Sequence, residues 1–569
     1  MNTVTIPQRT ILLAGLLQGL ALGMLGVQLD AQLWPFEQPV WLFLLYSLTL
    51  TIPCMLQLGL RTDNRRRMYI GLTVVAVLLA CLSIYIGLQL LPVGQLYDHH
   101  ITFNFICSMT VLCFFGQSYL QRWADRQSNC YAPLFQSVWR NLFILLLSML
   151  FTLIVWVLMM LWAELFKLIG IDFFRELFRR IWFYNPVLAL AFAGGILLFR
   201  SLESLLDTLV SLLRVFSQWL LPLLVIMAVL FLLALPFTGL QALWNTGKGT
   251  VLVLSLQGGL LFFLNAVYQC GDRRVYGLWL HRIIYAGCLL LPVFSLIAAY
   301  GLYLRIQQYG FTVERGWALM IWAFLASLAL SYGWQILRRW DAWPTAIGRT
   351  NSAIGILLII SLILLNSPVL DFRKISANDQ VARYEENHDV NAIDPWYLFY
   401  HLGRSGYLAA EQLKQQYKDD DALILALADN QYHGGGREVD EGLLQQSFER
   451  QLSVYPPQAE IPDGLLEALY NARDEWRGNQ QIGRYLFMID LNNDQQADPV
   501  FIEDHDSWAS ASLWQQRGIQ WQSRRLYIEG EWSLKTLQER MNNVEPQVIT
   551  PTWDNLKIDD LVIWLQGGF

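Results

Sequence analysis

The sequence predicts an all-α polytopic membrane bundle of about eleven transmembrane helices, residues 1–368. A soluble acidic α+β domain, residues 369–569, follows, with helices first and then a small, mostly antiparallel sheet. Three observations predict this. The chain of 569 residues is 55% hydrophobic and 15% charged, with mean hydropathy +0.35, where a soluble domain carries roughly a quarter charged residues. Long apolar runs recur up to residue 368 and then stop. Charge divides at the same place: 23 Lys and Arg against 13 Asp and Glu before it, a balance of +10, then 17 against 33 after it, a balance of −16.

A helix that crosses a hydrocarbon layer of about 30 Å needs roughly 20 apolar residues. Runs near 11–29, 40–60, 69–91, 101–120, 141–166, 184–199, 219–236, 250–269, 283–304, 316–336 and 351–368 meet that need. The first is read as a retained span, because no small-residue cleavage site follows it cleanly. Within 170–220, "DFFRELFRRIWF" and "SLESLLDTLVSLLRVFSQWL" are amphipathic and charged, which predicts helices lying in the interface. Counting Lys and Arg beside the spans puts 16 on the N-terminal side of the membrane and seven on the other. Basic loops stay in the cytoplasm, so the N-terminus is expected inside. An odd span count then places the acidic tail outside.

Gly15, Gly19 and Gly23 recur every four residues on one face of the first span, the spacing for close approach of a second helix. Glu164 and Lys167 stand one helical turn apart and are expected to pair. No span carries a row of Asp, Glu or His, so proton-coupled transport is not supported. All seven cysteines lie before residue 289 in no metal or disulfide spacing. The adjacent histidines of "YDHH", residues 97–100, face different ways on a helix and by themselves hold no metal.

The stretch "YLRIQQYGFTVERGW", residues 303–317, places Arg305 and Arg315 on either side of Tyr309, Gly310 and Thr312 between two apolar runs. Both arginines belong to the outward minority, so they do not serve orientation. One reading is interfacial anchoring beside Tyr309. The other is a structured hairpin that turns at Gly310, its guanidinium forks converging on a phosphate or a buried carboxylate. The pattern Arg-Ile-x-x-Tyr-Gly-x-Thr-x-x-Arg resembles a loop of the bacterial inner-membrane family catalogued as domain of unknown function 4153. "WYLFYHLGRSGYLAAEQL", residues 396–413, and the acidic turn "DLNNDQQAD" agree with it. The resemblance implies a polytopic inner-membrane protein with an extramembrane C-terminal region. It supplies no activity and no catalytic residues.

In the tail, "YLAAEQLKQQY", "DDALILALAD", "DEGLLQQSFERQL" and "DGLLEALYNARDEW" have helical apolar spacing, while "RYLFMID", "DPVFIED" and "RRLYIEG" alternate like strands. Between the first two strands, Asp490, Asn492, Asp494 and Asp498 occupy positions one, three, five and nine of a calcium-loop pattern, with the carbonyl of Gln496 available at seven. Gln495 replaces the glycine expected at six, and Phe501 the glutamate at twelve. A polar hairpin turn is the competing account. "HGGGR", residues 433–437, lacks any G-x-S-x-G nucleophile to serve, and a tail at −16 repels nucleic acid.

These features point to a non-enzymatic envelope protein that senses, scaffolds or assists transport. It would sit in the lipid bilayer, with calcium and an envelope protein partner as its candidate ligands. The competing class is a membrane enzyme or carrier for a lipid-linked or phosphorylated substrate, held by Arg305 and Arg315, with Glu164, Asp172 or Glu176 supplying a carboxylate. A deep cavity containing both arginines would favour that class. Helices packed solid beneath the loop would favour the first.

Overall fold

The computed structural model describes residues 6–35, 38–91, 99–126, 131–239, 248–268, 275–420, 422–424, 426–427, 445, 448–449, 452–472, 483–491, 496–504, 509–517, 520–526, 556–558 and 561–563. Among these, eleven helical segments are long and apolar enough to cross a membrane, and the chain is a multi-span membrane protein. The helices are α1 (Gln8–Asp30), α2 (Pro39–Gly59), α3 (Arg65–Leu88), α4 (His99–Ala124), α5 (Tyr131–Leu168), the short α6 (Phe173–Arg179), α7 (Ile181–Ser201), α8 (Glu203–Thr238), α9 (Gly249–Tyr268), α10 (Leu278–Cys288), α11 (Leu291–Tyr309), α12 (Val313–Arg339) and α13 (Ile347–Leu365). One span is shared by α10 and α11. The eleven spans coincide with the apolar runs, because length and hydropathy are properties of the local sequence.

The stretch 170–220 differs from expectation. Residues 203–218 do not form a separate interfacial helix; they begin α8, one continuous helix of 36 residues. The charged face of that stretch suggested an interface, but the helix runs on into the apolar span, with Pro222 and Pro236 inside it. Only α6 remains as a short separate helix. It brings Arg175 Nε to 3.6 Å from Glu164 Oε1, so the partner of Glu164 comes from the helix that follows, where Lys167 of its own turn was expected.

The small-residue face of α1 lies on α7. A β-carbon at Gly15 would stand 2.4 Å from Ala193 Cβ, and one at Gly19 2.4 Å from Pro186 Cα. Deeper in the chain, Tyr332, Trp343, Phe294 and Ile347 are fully buried in the largest core, which α8 to α13 share. Within it, Asn265 Oδ1 accepts from Tyr332 Oη at 2.9 Å, a polar link between helices of the kind that holds membrane bundles.

Two compact units divide the chain: residues 1–386 with 401–409, and residues 387–400 with 410–569. The first holds the spans, α14 (Phe372–Asn387) up to residue 386, and most of the short segment where α15 (Pro395–His401) gives way to α16 (Gly403–Gln416). The second contains a five-stranded sheet in the order β1 (Leu452–Tyr455), β2 (Gly483–Ile489), β3 (Asp498–Asp504), β4 (Ala509–Arg517), β5 (Gln520–Leu526). Only β1 and β2 pair in parallel; β2–β3, β3–β4 and β4–β5 are antiparallel. Alternation puts Leu486, Met488, Phe501 and Trp514 in one core with Leu465 and Leu469 of α17 (Leu465–Ala472). Arg484 and Glu503 face each other across β2 and β3 and are buried as a pair, Nε to Oε1 3.6 Å. A two-stranded β6 (Leu556–Ile558) and β7 (Leu561–Ile563) completes the described residues. The helix expected within "SLKTLQERMNN" and the "HGGGR" segment lie outside them.

Candidate functional site

The hairpin between α11 and α12 is built from its own sequence. Gly310 ends α11 at φ +79°, a left-handed conformation that glycine adopts without penalty. Thr312 caps α12, its Oγ1 accepting from Arg315 N at 3.4 Å. The two arginines then fold back on the turn. Arg315 Nη1 donates to Tyr309 O at 2.9 Å and Gly310 O at 2.5 Å. These carbonyls close α11, where a cation complements the negative end of the helix. Arg315 and Arg305 both approach the Tyr309 ring, their Cζ atoms 5.5 and 5.9 Å from its centroid, within range of a cation–π attraction. Thus the structure gathers all five predicted residues, Arg305, Tyr309, Gly310, Thr312 and Arg315, into one turn.

The turn faces a helix that sequence reasoning did not connect to it. Along α14, Phe372, Ser376, Asp379 and Arg383 recur at spacings of four, three and four, so they share one helical face. Phe311 N donates to Asp379 Oδ2 at 2.9 Å, and Ser376 Oγ donates to Phe311 O at 2.8 Å. Asp379 Oδ2 also accepts from Arg383 Nε at 3.1 Å. A β-carbon on Gly310 would stand 2.7 Å from Arg383 Nε and 2.8 Å from Asp379 Oδ2, and one on Gly316 would stand 2.7 Å from the Phe372 ring. The hairpin is therefore a seat for the first helix beyond the last span.

Beside it, Asp371 anchors the start of that helix. Its carboxylate is 2% exposed and accepts from Arg373 Nε at 2.8 Å, Arg373 Nη2 at 2.9 Å, Arg373 N at 2.9 Å and Tyr85 Oη at 2.6 Å. The ends of α3, α11 and α13 and the starts of α4 and α12 meet in this region. Ser108 Oγ lies 3.2 Å from Asn366 Oδ1. His100 stacks near His401, ring centroids 4.1 Å apart, and His401 Nδ1 lies 3.6 Å from Glu314 Oε1. Arg404 N donates to Gln89 O at 2.8 Å, and a β-carbon at Gly403 (φ +57°) would stand 2.7 Å from that same oxygen. The stretch 396–413, singled out by resemblance, thus returns part of itself, 401–409, to the membrane unit.

The cavity enclosed here is about 30 Å³, lined by Asn104, Trp317, Asn366, Asp371, Arg373 and His401. Neither Arg305 nor Arg315 lines it. In the second unit, register pairs Ile489 with Asp498, so Asp490 and Asp498 stand at the two feet of one connection. Asp498 Oδ2 accepts from Leu491 N at 3.0 Å. Gln496 is described, whereas Asn492 and Asp494 lie outside the described residues.

A family model described as a domain of unknown function (DUF4153) matches residues 19–413. The match covers the hairpin, α14 and the returning segment, and it ends before β1. No curated protein and no solved structure matches the chain.

Proposed function

The chain belongs to that family, DUF4153, and we propose that it is a non-enzymatic scaffold or sensor of the bacterial inner membrane, presenting its second unit to the periplasm and to an envelope protein partner. One observation carries the proposal. The hairpin that held the best case for a phosphate site spends Arg315 on its own terminal carbonyls and offers its outer face to α14. The helices beneath are packed, with Phe294, Ala298 and Leu302 of α11 buried. This arrangement supports a device that fixes the exit of the chain from the membrane, in preference to a carrier that holds a lipid-linked substrate at Arg305 and Arg315.

Orientation is supported by the basic residues. Arg61, Arg65, Arg66, Arg67, Arg122, Arg140 and Arg200 lie near the helix ends opposite those that meet at Asp371, as loops retained in the cytoplasm would. Alkaline phosphatase fused after Phe569 of the full chain is expected to be active. A fluorescent protein that matures only in the cytoplasm is expected to stay dark there. The reverse pattern would move the second unit to the cytoplasm and end the proposal as stated.

Calcium is proposed as the ligand of the β2–β3 connection, with Asp490, Asn492, Asp494, Gln496 and Asp498 as donors. Acidic side chains crowded in a short connection repel one another, and a divalent ion relieves that repulsion. In the full chain, calcium at a hundred times its dissociation constant stabilises the bound form by about 2.7 kcal/mol. Amide exchange along 483–504 should then slow by up to about 100-fold, magnesium should do less, and Asp490→Ala should remove the effect. Unchanged exchange at millimolar calcium would leave the connection as a hairpin turn capped by Asp498.

A further inference from the structure

The phosphate chemistry that the outer hairpin does not favour has a better setting at the opposite end of the bundle. Helices α2, α4 and α5 leave between them a groove of about 650 Å³, within the roughly 300–1,000 Å³ of ligand sites. Its wall along α2 runs from Leu42 to Leu58, about 24 Å of helix. Half of a hydrocarbon layer is about 15 Å, so the groove is long enough for the whole tail of a lipid from one leaflet. The lining is mostly apolar, Phe43, Leu50, Met109 and Leu145 among it, with Gln117 and Asn141 as its buried amides. Gln117 is 1% exposed; its Nε2 donates to Met55 O, and its Oε1 finds no donor among the described residues.

At Leu58 and Asn141 this groove meets a second cavity of about 250 Å³, whose lining includes both of those residues. Here the chemistry changes. Arg61, Arg140 and Arg200 line it, with Asp125 and Glu203 as the carboxylates. The three cations are not equally committed. Arg200 donates to Gln57 O at 2.5 Å and Leu60 O at 2.9 Å, closing the end of α2. Arg61 Nη1 donates to Asp125 Oδ2 at 3.1 Å, and its Nε lies 3.4 Å from Asp63 Oδ1, whose side chain is 61% exposed. Arg140 Nη2 lies 3.4 Å from Glu203 Oε1, and the Glu203 side chain is 75% exposed. An ion pair with so exposed a partner contributes little, and Glu203 can turn to water when another anion arrives. Asn141 Nδ2, at the junction, is held by Gln121 Oε1 at 3.0 Å.

We propose that this composite site binds an anionic phospholipid, its tail in the α2–α4–α5 groove and its phosphate between Arg140 and Arg61. A ring of annular lipid would fill an apolar groove of any protein without regard to headgroup. The arginine-lined mouth is what makes the site selective, because Asp63 and Glu203, the exposed partners of Arg61 and Arg140, can turn to water when a phosphate arrives. Guanidinium forks match phosphate oxygens two at a time, and their attraction grows where water is thin.

The test uses the full chain purified in dodecyl maltoside. Native mass spectrometry counts molecules retained on titration with dioleoylphosphatidylglycerol, dioleoylphosphatidylcholine or inorganic phosphate. Phosphatidylglycerol is expected to bind about tenfold more tightly than phosphatidylcholine, a difference of about 1.4 kcal/mol. Arg140→Gln should erase that preference, and Thr110→Trp, which fills the groove from an exposed position, should weaken both lipids. Equal retention of the two lipids would reduce the groove to an annular lipid position. Inorganic phosphate retained as well as phosphatidylglycerol would make the mouth an anion site without a lipid. Either result overturns the proposal, as does an Arg140→Gln protein that keeps the preference. Should that variant fail to fold, the wild-type chain decides. A photoactivatable phosphatidylglycerol in phosphatidylcholine vesicles should label 42–58, 102–117 and 141–149 above the other spans, and uniform labelling would refute the site.

Discussion

Asp371→Ala is expected to destabilise the membrane unit by about 3–5 kcal/mol, the range for breaking a buried ion pair by removing one partner. The carboxylate is 2% exposed and Arg373 9%. Alanine would leave the guanidinium buried without its acceptor and would free Tyr85 Oη, which donates to Asp371 at 2.6 Å. Most of the loss comes from the stranded charge, so a variant that removes both charges is expected to lose less than the single substitution. Asp371→Leu with Arg373→Met serves for that comparison. Tyr85→Phe deletes one hydrogen bond to a charged group and should cost about 1.5–3 kcal/mol. Tyr85 and Asp371 share that bond, so their effects should not add: in the double variant Tyr85→Phe costs nearly nothing. Denaturant unfolding of the full chain in mixed micelles reads each value. An Asp371→Ala protein as stable as the wild type would mean that water reaches Arg373.

Such a site shows why the fold was largely legible in the sequence and the candidate site only partly. The spans follow from runs of about twenty apolar residues, and the turn at Gly310 follows from a glycine between two such runs. Thr312 as a cap is also a local signal. What Arg305 and Arg315 do is not, because a guanidinium between two spans has the same local sequence whether it seeks lipid phosphate, a substrate or its own helix's carbonyls. Arg315 finds its acceptors at Gly310 and Tyr309, five and six residues back, and Arg305 lies over the Tyr309 ring four residues on, but the seat beside them belongs to Asp379 and Arg383. Tyr85 and Asp371 stand 286 residues apart, and no period or motif links them. Apolar faces announce themselves by repetition, while a polar pair between distant helices is written once in each. Residues 203–218 erred in the opposite direction: a charged stripe suggested an interfacial helix, though the helix runs on into the apolar span and even through Pro222. The arginine-lined groove was missed for a further reason. Arg61, Arg140 and Arg200 were counted only as orientation signals, and the gap between α2, α4 and α5 exists only in three dimensions.

The glycines of α1 give the second large effect, and they supply their own controls. A β-carbon at Gly19 would stand 2.4 Å from Pro186 Cα, 2.8 Å from Asn185 O and 2.8 Å from Ala189 Cβ. Two of those atoms are backbone, so no rotamer can make room, and α1 must move off α7. Overpacking of this kind typically costs about 1–3 kcal/mol for a small addition, and Gly19→Leu should exceed Gly19→Ala. Gly26 is a milder case. Its β-carbon would approach Ile181 Cγ2 at 2.5 Å, the end of a side chain that can turn aside, so Gly26→Ala should cost less than Gly19→Ala. Gly194 sits within α7 with nothing within 4 Å of an added β-carbon. There alanine removes only the backbone entropy that glycine brings, and Gly194→Ala should be neutral or stabilise by about 0.5–1 kcal/mol. The predicted order of unfolding free energy in mixed micelles is therefore Gly194→Ala, Gly26→Ala, Gly19→Ala, Gly19→Leu, from most to least stable. Gly19→Ala level with Gly194→Ala would show that α1 parts from α7 without cost. The small-residue face would then be a consequence of composition, and the contact between these helices would not hold the bundle together.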